Sequence, residues 1–226
     1  MKLLALDTSS VACSVAVQLD ETIIERHEEQ PREHTRLLMP MIESALKEAG
    51  VKLPDLDAIV LGNGPGSFIG MRIAASVAQG LAFGASLSIV PVSSMAAVAA
   101  QVFAQDNAAE VVVAQDAHMN EVYLGVYRLN NAEVEEVMPE RLQTADVIGD
   151  LTEKNTVGRV AAGFGWQRYP DLYAVNQHLF TAASDVLHPR AKFLLGLAAT
   201  GSAIRPQDIV PAYLRQKVAE KPTPIS

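Results

Sequence analysis

Two aspartates, Asp7 and Asp116, each follow an apolar run, Leu3-Leu4-Ala5-Leu6 directly before the first and Val111-Val112-Val113-Ala114, then Gln115, before the second. Carboxylates at the ends of two equivalent strands are an arrangement suited to holding a metal–phosphate group. Enzymes that use it follow the aspartate with a glycine-rich turn, so that backbone N–H groups come close to phosphate. Here the turns read Thr8-Ser9-Ser10 and Ala117-His118-Met119-Asn120, without glycine, and a side chain at each position hinders that approach. Asp7, Thr8 and Asp116 are therefore candidate nucleotide contacts in degenerate hairpins, and no residue is assigned a catalytic role.

The other chemical candidates give less. Gly62-Asn63-Gly64-Pro65-Gly66 precedes a helical pattern but has no Gly-Lys-Ser/Thr of a phosphate-binding P-loop. No acidic residue closes the next strand near Val90, as a dinucleotide fingerprint requires. The loop reads as a turn that seats the helix. Ser67 lacks the glycine two residues on that a nucleophile elbow needs. The five histidines, His27, His34, His118, His178 and His188, include no pair four residues apart, so the helical two-histidine metal site is missing. Cys13 is the only cysteine, which excludes an internal disulfide and a cysteine-based metal cluster. No metal site is expected.

The elements that must position these residues follow from periodicity. Strands are expected at 2–6, 11–18 and 22–28, a helix at 33–49 kinked by Pro40, a strand at 56–61, a helix at 67–83, a strand at 87–90 and a helix at 95–103. Ser67 is a good N-cap and Gly84 a good stop for the central helix. The pattern then restarts: with Asp7 laid on Asp116, the strand at 121–128, alternating as Val122, Leu124 and Val126, falls on the second arm of the first hairpin. Two unrelated hairpins could give the same pattern; duplication implies an α/β protein of two similar lobes, 1–105 and 106–226, each a mixed sheet with flanking helices, facing each other across a cleft. Helices at 144–151 and 191–198, a strand at 157–161 and a frayed tail from 216 complete the reading.

Composition bounds the setting. Charged residues make up 19% of the chain, below the usual ~25%. The net charge of −8 argues against a large basic face for nucleic acid. The N-terminal segment has no apolar core of signal-peptide length and no run reaches ~18 apolar residues, so no membrane span is expected and a reducing cytoplasm is the compartment.

Two helices carry the clearest interaction signal. At 33–49 the apolar residues form two adjacent rows, Leu37/Met41/Ala45 and Leu38/Ile42/Leu46/Ala49. At 67–83 the only charge is Arg72, and Gly70, Met71, Ala74, Ala75, Ala78 and Ala82 are apolar or small. A helix apolar all round must be covered all round, and one sheet covers a single side. Leu37, Leu38, Met41, Ile42, Ala45, Met71, Ala74, Ala75 and Ala78 are accordingly expected at a partner interface, the alternative being a well-covered single-chain core.

The segments LLALDTSSVACSVAV, PREHTRLLMPMIESAL, GNGPGSFIGMRIAASVAQGLAFGA, AAGFGWQRYPDL and VPAYLR, in that order, closely resemble the TsaB (YeaZ) family of tRNA threonylcarbamoyladenosine biosynthesis proteins over nearly the whole chain. Ile69 stands where relatives commonly have threonine. The resemblance implies an actin-like fold and a role in forming N6-threonylcarbamoyladenosine at position 37 of tRNAs reading codons that begin with adenine. It implies a heterodimer with the homologous catalytic subunit TsaD, which transfers the threonylcarbamoyl group from threonylcarbamoyl-adenylate, and a third partner, the small ATPase TsaE. A homodimer is implied for the isolated chain, with tRNA met only through the complex and no cofactor of its own, although ATP could sit at subunit interfaces. TsaD holds its metal with an HxxxH pair; Ser94 and Val98 occupy the corresponding positions here, and valine cannot ligate a metal. The competing expectation is a stand-alone actin-like ATPase or a glycoprotease-like peptidase.

Overall fold

A computed structural model describes residues 1–151 and 158–215. Strands Lys2–Asp7 (β1), Ala12–Leu19 (β2) and Thr22–Glu29 (β3) form an antiparallel meander in which Asp7 faces Ser14 and Ala12 faces Glu29. Ala58–Gly62 (β4) runs parallel to β1, and Ser88–Val92 (β5) parallel to β4. The order is β3-β2-β1-β4-β5. Strands Glu110–Asp116 (β6), Glu121–Asn130 (β7), Glu133–Thr144 (β8), Arg159–Ala162 (β9) and Ala182–Ala183 (β10) build a second sheet, which read from its far edge is β8-β7-β6-β9-β10. The two orders coincide, so the restart of the pattern at Asp116 marks a duplicated topology.

The helices are His34–Ala49 (α1), Phe68–Ala85 (α2), Ser94–Gln105 (α3), Phe164–Arg168 (α4), Pro170–Asn176 (α5) and Ala191–Leu197 (α6). Central strands covered on both faces become continuous apolar runs, which is why β1 and β6 read so plainly in the sequence. α1 and α2 cover one face of the first sheet, packing on Leu4, Leu6, Val15, Val17, Ile59 and Leu61. α6 covers the other, against Leu3, Ala5, Ala16 and Val60. α3 packs its Met95, Val98, Ala99 and Val102 on Val111, Val113 and Tyr127 of the second sheet. A cut into 1–105 and 106–226 therefore separates the sheets, but it leaves α3 and α6 each on the other lobe's sheet.

Several expected boundaries move. Residues 144–151 are not helical: β8 runs to Thr144, and in the turn that follows the Ile148 N–H donates to Asn176 Oδ1 at 2.9 Å. β8 itself goes unpredicted because an edge strand reading Glu-Val-Glu-Glu-Val-Met-Pro carries too little apolar alternation. Gly84 does not stop α2; the helix continues to Ala85 and Ser86 takes the left-handed turn at φ 57°. β5 passes through Pro91 to Val92, as an edge strand permits. Val157 and the tail from 216 lie outside the described residues.

Candidate functional site

Asp7, at the end of β1, is buried and does not line the cleft between the sheets. Its Oδ1 accepts hydrogen bonds from Ser9 N and Ser9 Oγ, both at 2.8 Å, and its Oδ2 accepts one from Ser94 Oγ at 2.5 Å. The residue is 1% exposed, and burial raises its pKa against the opposing pull of these bonds. A Cβ on Gly62 would stand 1.9 Å from Asp7 Oδ2, so only glycine lets β4 pass this close. Thr8 is fully buried and its Oγ1 donates to Gly70 O at 2.7 Å. Asp7 and Thr8, expected as nucleotide contacts, are thus corrected to internal structural groups. The cause is the glycine loop, which closes onto the hairpin turn: Ser67 N donates to Ser9 O at 2.6 Å, where a phosphate would otherwise approach.

Asp116, the third expected contact, does line the cleft. Its Oδ1 accepts from His118 N and from Tyr169 OH, each at 2.8 Å, and its Oδ2 lies 3.1 Å from His118 Nδ1. The cleft has a volume of about 500 Å³ and takes Ser10, Val11 and His34 from one lobe and Phe164 and His188 from the other. Burial lowers the pKa of both His34 and His188, favouring neutral imidazoles. His188 also lies 5.4 Å from the Phe164 ring.

Ser94 accepts a hydrogen bond from Gly64 N at 3.0 Å while donating to Asp7, so it ties the glycine loop to β1. Val98 is fully buried in the second-lobe core. Among the described residues, no three His, Cys, Asp or Glu side chains converge in a way that could hold a metal ion.

The helix pair corrects the interface residues. Leu38, Met41, Ile42 and Ala45 of α1 and Ala74, Ala75 and Ala78 of α2 are buried in the first-lobe core, and Leu37, partly exposed, packs on the same core. Met71 is 3% exposed and its Sδ lies where a Cβ on Gly64 would fall. All of these side chains but the partly exposed Leu37 are buried against their own lobe. The outward face of α2 is a different stripe, at three- and four-residue spacing: Ile69 (70% exposed), Arg72, Ser76, Gly80 and Phe83 (79%). A Cβ on Gly80 or Gly84 would meet nothing within 4 Å. Two bulky apolar residues fourteen apart, on the side opposite the alanines, were the sequence signal for this face. α2 is long and apolar enough to cross a membrane by length and composition, yet its alanine face is packed in the first-lobe core.

Two five-stranded mixed sheets of one order, each with flanking helices and joined across a cleft, define a duplicated α/β protein of the actin-like class. The family model described as TsaD, tRNA N6-adenosine threonylcarbamoyltransferase, matches residues 19–188. A TsaB protein of Escherichia coli K12 is 36% identical over 99% of this chain and 99% of its own, and one of Haemophilus influenzae is 35% identical over 99% and 98%. YeaZ from Pseudomonas aeruginosa superposes with a TM-score of 0.83 at 36% identity, covering 94% of this chain and 99% of that one. A tRNA N6-adenosine threonylcarbamoyltransferase of Chromobacterium violaceum is 46% identical over 61 residues, 27% of this chain and 18% of that one. The chain belongs to the TsaB (YeaZ) family of tRNA threonylcarbamoyladenosine biosynthesis proteins, as its motifs led us to expect.

Proposed function

We propose that this chain is a non-catalytic subunit in the formation of N6-threonylcarbamoyladenosine at position 37 of tRNAs reading codons that begin with adenine. In this reading it docks and activates a transferase of the TsaD kind through the outward face of α2 and the neighbouring α1. The observation that carries the proposal is the exposed stripe of Ile69, Ser76, Gly80 and Phe83 on a helix whose other face is already covered by its own sheet. The occupant follows from the family match. The transferase model spans residues 19–188, which include both helices, so a transferase carries an equivalent pair that can meet this one about a pseudo-two-fold axis. Small residues at 76, 80 and 84 permit close helix approach, while Ile69 and Phe83 supply apolar area.

The same symmetry pairs two copies when the transferase is absent. TsaE joins as the third component, tRNA is met through the assembly, and the setting is the cytoplasm. The chain holds no cofactor of its own, and any ATP bound by the assembly lies at subunit interfaces. The inward-facing Asp7 and Thr8, with Ser94 and Val98 at the positions implied for TsaD's ligating histidines, support a non-catalytic role.

Gly80→Arg tests the docking face cleanly. Position 80 has open space for a side chain, so the variant should fold as the wild type does. An unpaired arginine at the centre of a helical interface costs about 2–5 kcal/mol, so affinity for the transferase measured by calorimetry should drop by roughly 30-fold or more. Undiminished binding by a folded variant would remove this face from the assembly.

A further inference from the structure

The terminal segment Val-Pro-Ala-Tyr-Leu-Arg, 210–215, has no place so far in the docking face or the aspartate chemistry, yet it touches both lobes. On the first lobe Asn63 brackets it: Asn63 Nδ2 donates to Val210 O at 3.0 Å, and Ala212 N donates to Asn63 O at 3.1 Å. The Tyr213 ring centre lies 5.3 Å from that of Phe68, and its hydroxyl accepts from Arg72 Nε at 2.9 Å. Two residues later the chain is on the second lobe. Leu214 packs on the core there, and Arg215 Nη2 donates to Ala117 O at 2.8 Å and lies 2.5 Å from Glu121 Oε2. Arg215 Nη1 faces Met119 Sδ at 3.5 Å.

The turn that Arg215 grips is unusual. His118, Met119 and Asn120 are consecutive non-glycine residues with φ of 59°, 56° and 58°. Such residues stay in the left-handed region only when their surroundings hold them there. Here Arg215 spans the turn, bonding the residues on both sides of it. Tyr213 and Arg215 also help line a second space between the lobes, of about 180 Å³, together with Met71, Asp116 and Tyr123.

We propose that 210–215 is an interlobe clasp that reports occupancy of the α2 face to the second-lobe turn at 117–121. Arg72 is the link. It lies on the exposed α2 stripe, and its guanidinium is shared between the Phe68 ring, 3.6 Å beneath it, and the Tyr213 hydroxyl. A partner packed on α2 excludes water from Arg72, and a cation–π contact and a charged hydrogen bond both strengthen when desolvated. Tyr213 is then held more firmly, and Arg215 with it against the strained turn. The clasp stands on this chain's own contacts; the reporting step rests on the docking reading above.

Amide hydrogen exchange in the full chain, first diluted until any pairing of copies has dissociated and then with the TsaD-type transferase added, tests both parts. In the isolated chain Arg215→Gln should speed exchange at 117–121 by about tenfold or more, since local opening governs it. With transferase bound, the wild type should be protected at both 68–85 and 117–121. Tyr213→Phe, which removes only the hydroxyl, should keep the protection at 68–85 and lose that at 117–121. Unchanged exchange in Arg215→Gln would overturn the clasp. Absence of protection at 117–121 in the wild type, or equal protection in Tyr213→Phe, would overturn the reporting step. Binding without protection at 68–85 would instead defeat the docking reading, and the reporting step with it, while the isolated-chain result still decides the clasp.

Discussion

At Asp7 a carboxylate is withdrawn from water and held by three hydrogen bonds, two from Ser9 and one from Ser94. Burial outweighs them, so its pKa in the folded protein lies above 3.8 and the folded state binds the proton more tightly than the unfolded chain. Stability contributed by this group is complete below 3.8 and is lost as pH rises through the folded value. Asp7→Asn removes the titration and keeps the shape. The variant's stability relative to wild type should therefore increase with pH across the window above 3.8, as followed by urea unfolding at a series of pH values. Glu140, whose pKa burial also raises, shifts in the same direction, but it is common to both proteins and cancels in the difference. A flat difference would mean that Asp7 titrates alike in both states. Asp7→Ala is harsher, because it strands the Ser9 and Ser94 donors at about 1–3 kcal/mol each. Even so, a folded Asp7→Ala protein in the assembled complex should lose less than about tenfold in modification rate, since removing a catalytic acid or base typically costs about 100-fold or more. Collapse of the rate in that protein would give Asp7 a part in the chemistry.

Element by element, the structure separates what periodicity can decide from what it cannot. α1 and α2 should each tolerate or refuse a charge according to which face receives it. Met41 is 7% exposed and Ala75 5%, both in the first-lobe core, so Met41→Glu or Ala75→Arg buries an unpaired charge at a cost of several kcal/mol. Both variants should unfold at lower urea or aggregate, and neither should behave as a folded monomer that has merely lost its partner. A folded, partner-deficient Ala75→Arg would return that alanine to the interface. In the sequence the alanine side of α2 reads as an exposed interface, and the structure buries it, because a helix with one charge in eighteen residues offers no polar face to mark the outside. The alanines that suggested close helix approach instead let α2 lie against β4 and β1 of its own sheet. Where polarity contrast exists, as in α1, or an apolar run is bounded by polar turns, as in β1, pattern and structure agree within a residue or two. The second lobe was less legible because short elements such as α4, α5 and β10 carry too few residues to set a period.

On the scale of the whole molecule, charge and symmetry act together. The chain has 18 basic against 26 acidic residues, a net charge of −8. RNA affinity depends on neutralising phosphates with lysine and arginine and falls steeply with salt, so this protein alone should show negligible tRNA binding at physiological ionic strength. In the proposed reading its contribution passes through another subunit. If docking the α2 face holds the matching helices of the transferase in their active arrangement, one copy per transferase suffices, because a pseudo-two-fold interface is filled by a single partner. In a reconstituted reaction with transferase and TsaE at fixed concentration, the rate of tRNA modification should climb with added chain and level off at one equivalent. The self-pairing proposed above would compete for the same face, so the approach to that plateau should be blunter than the transferase affinity alone gives, and blunter still on dilution, while its height stays the same. A rate that keeps rising well past equivalence, or full modification without the chain, would show that it acts by a route other than stoichiometric docking.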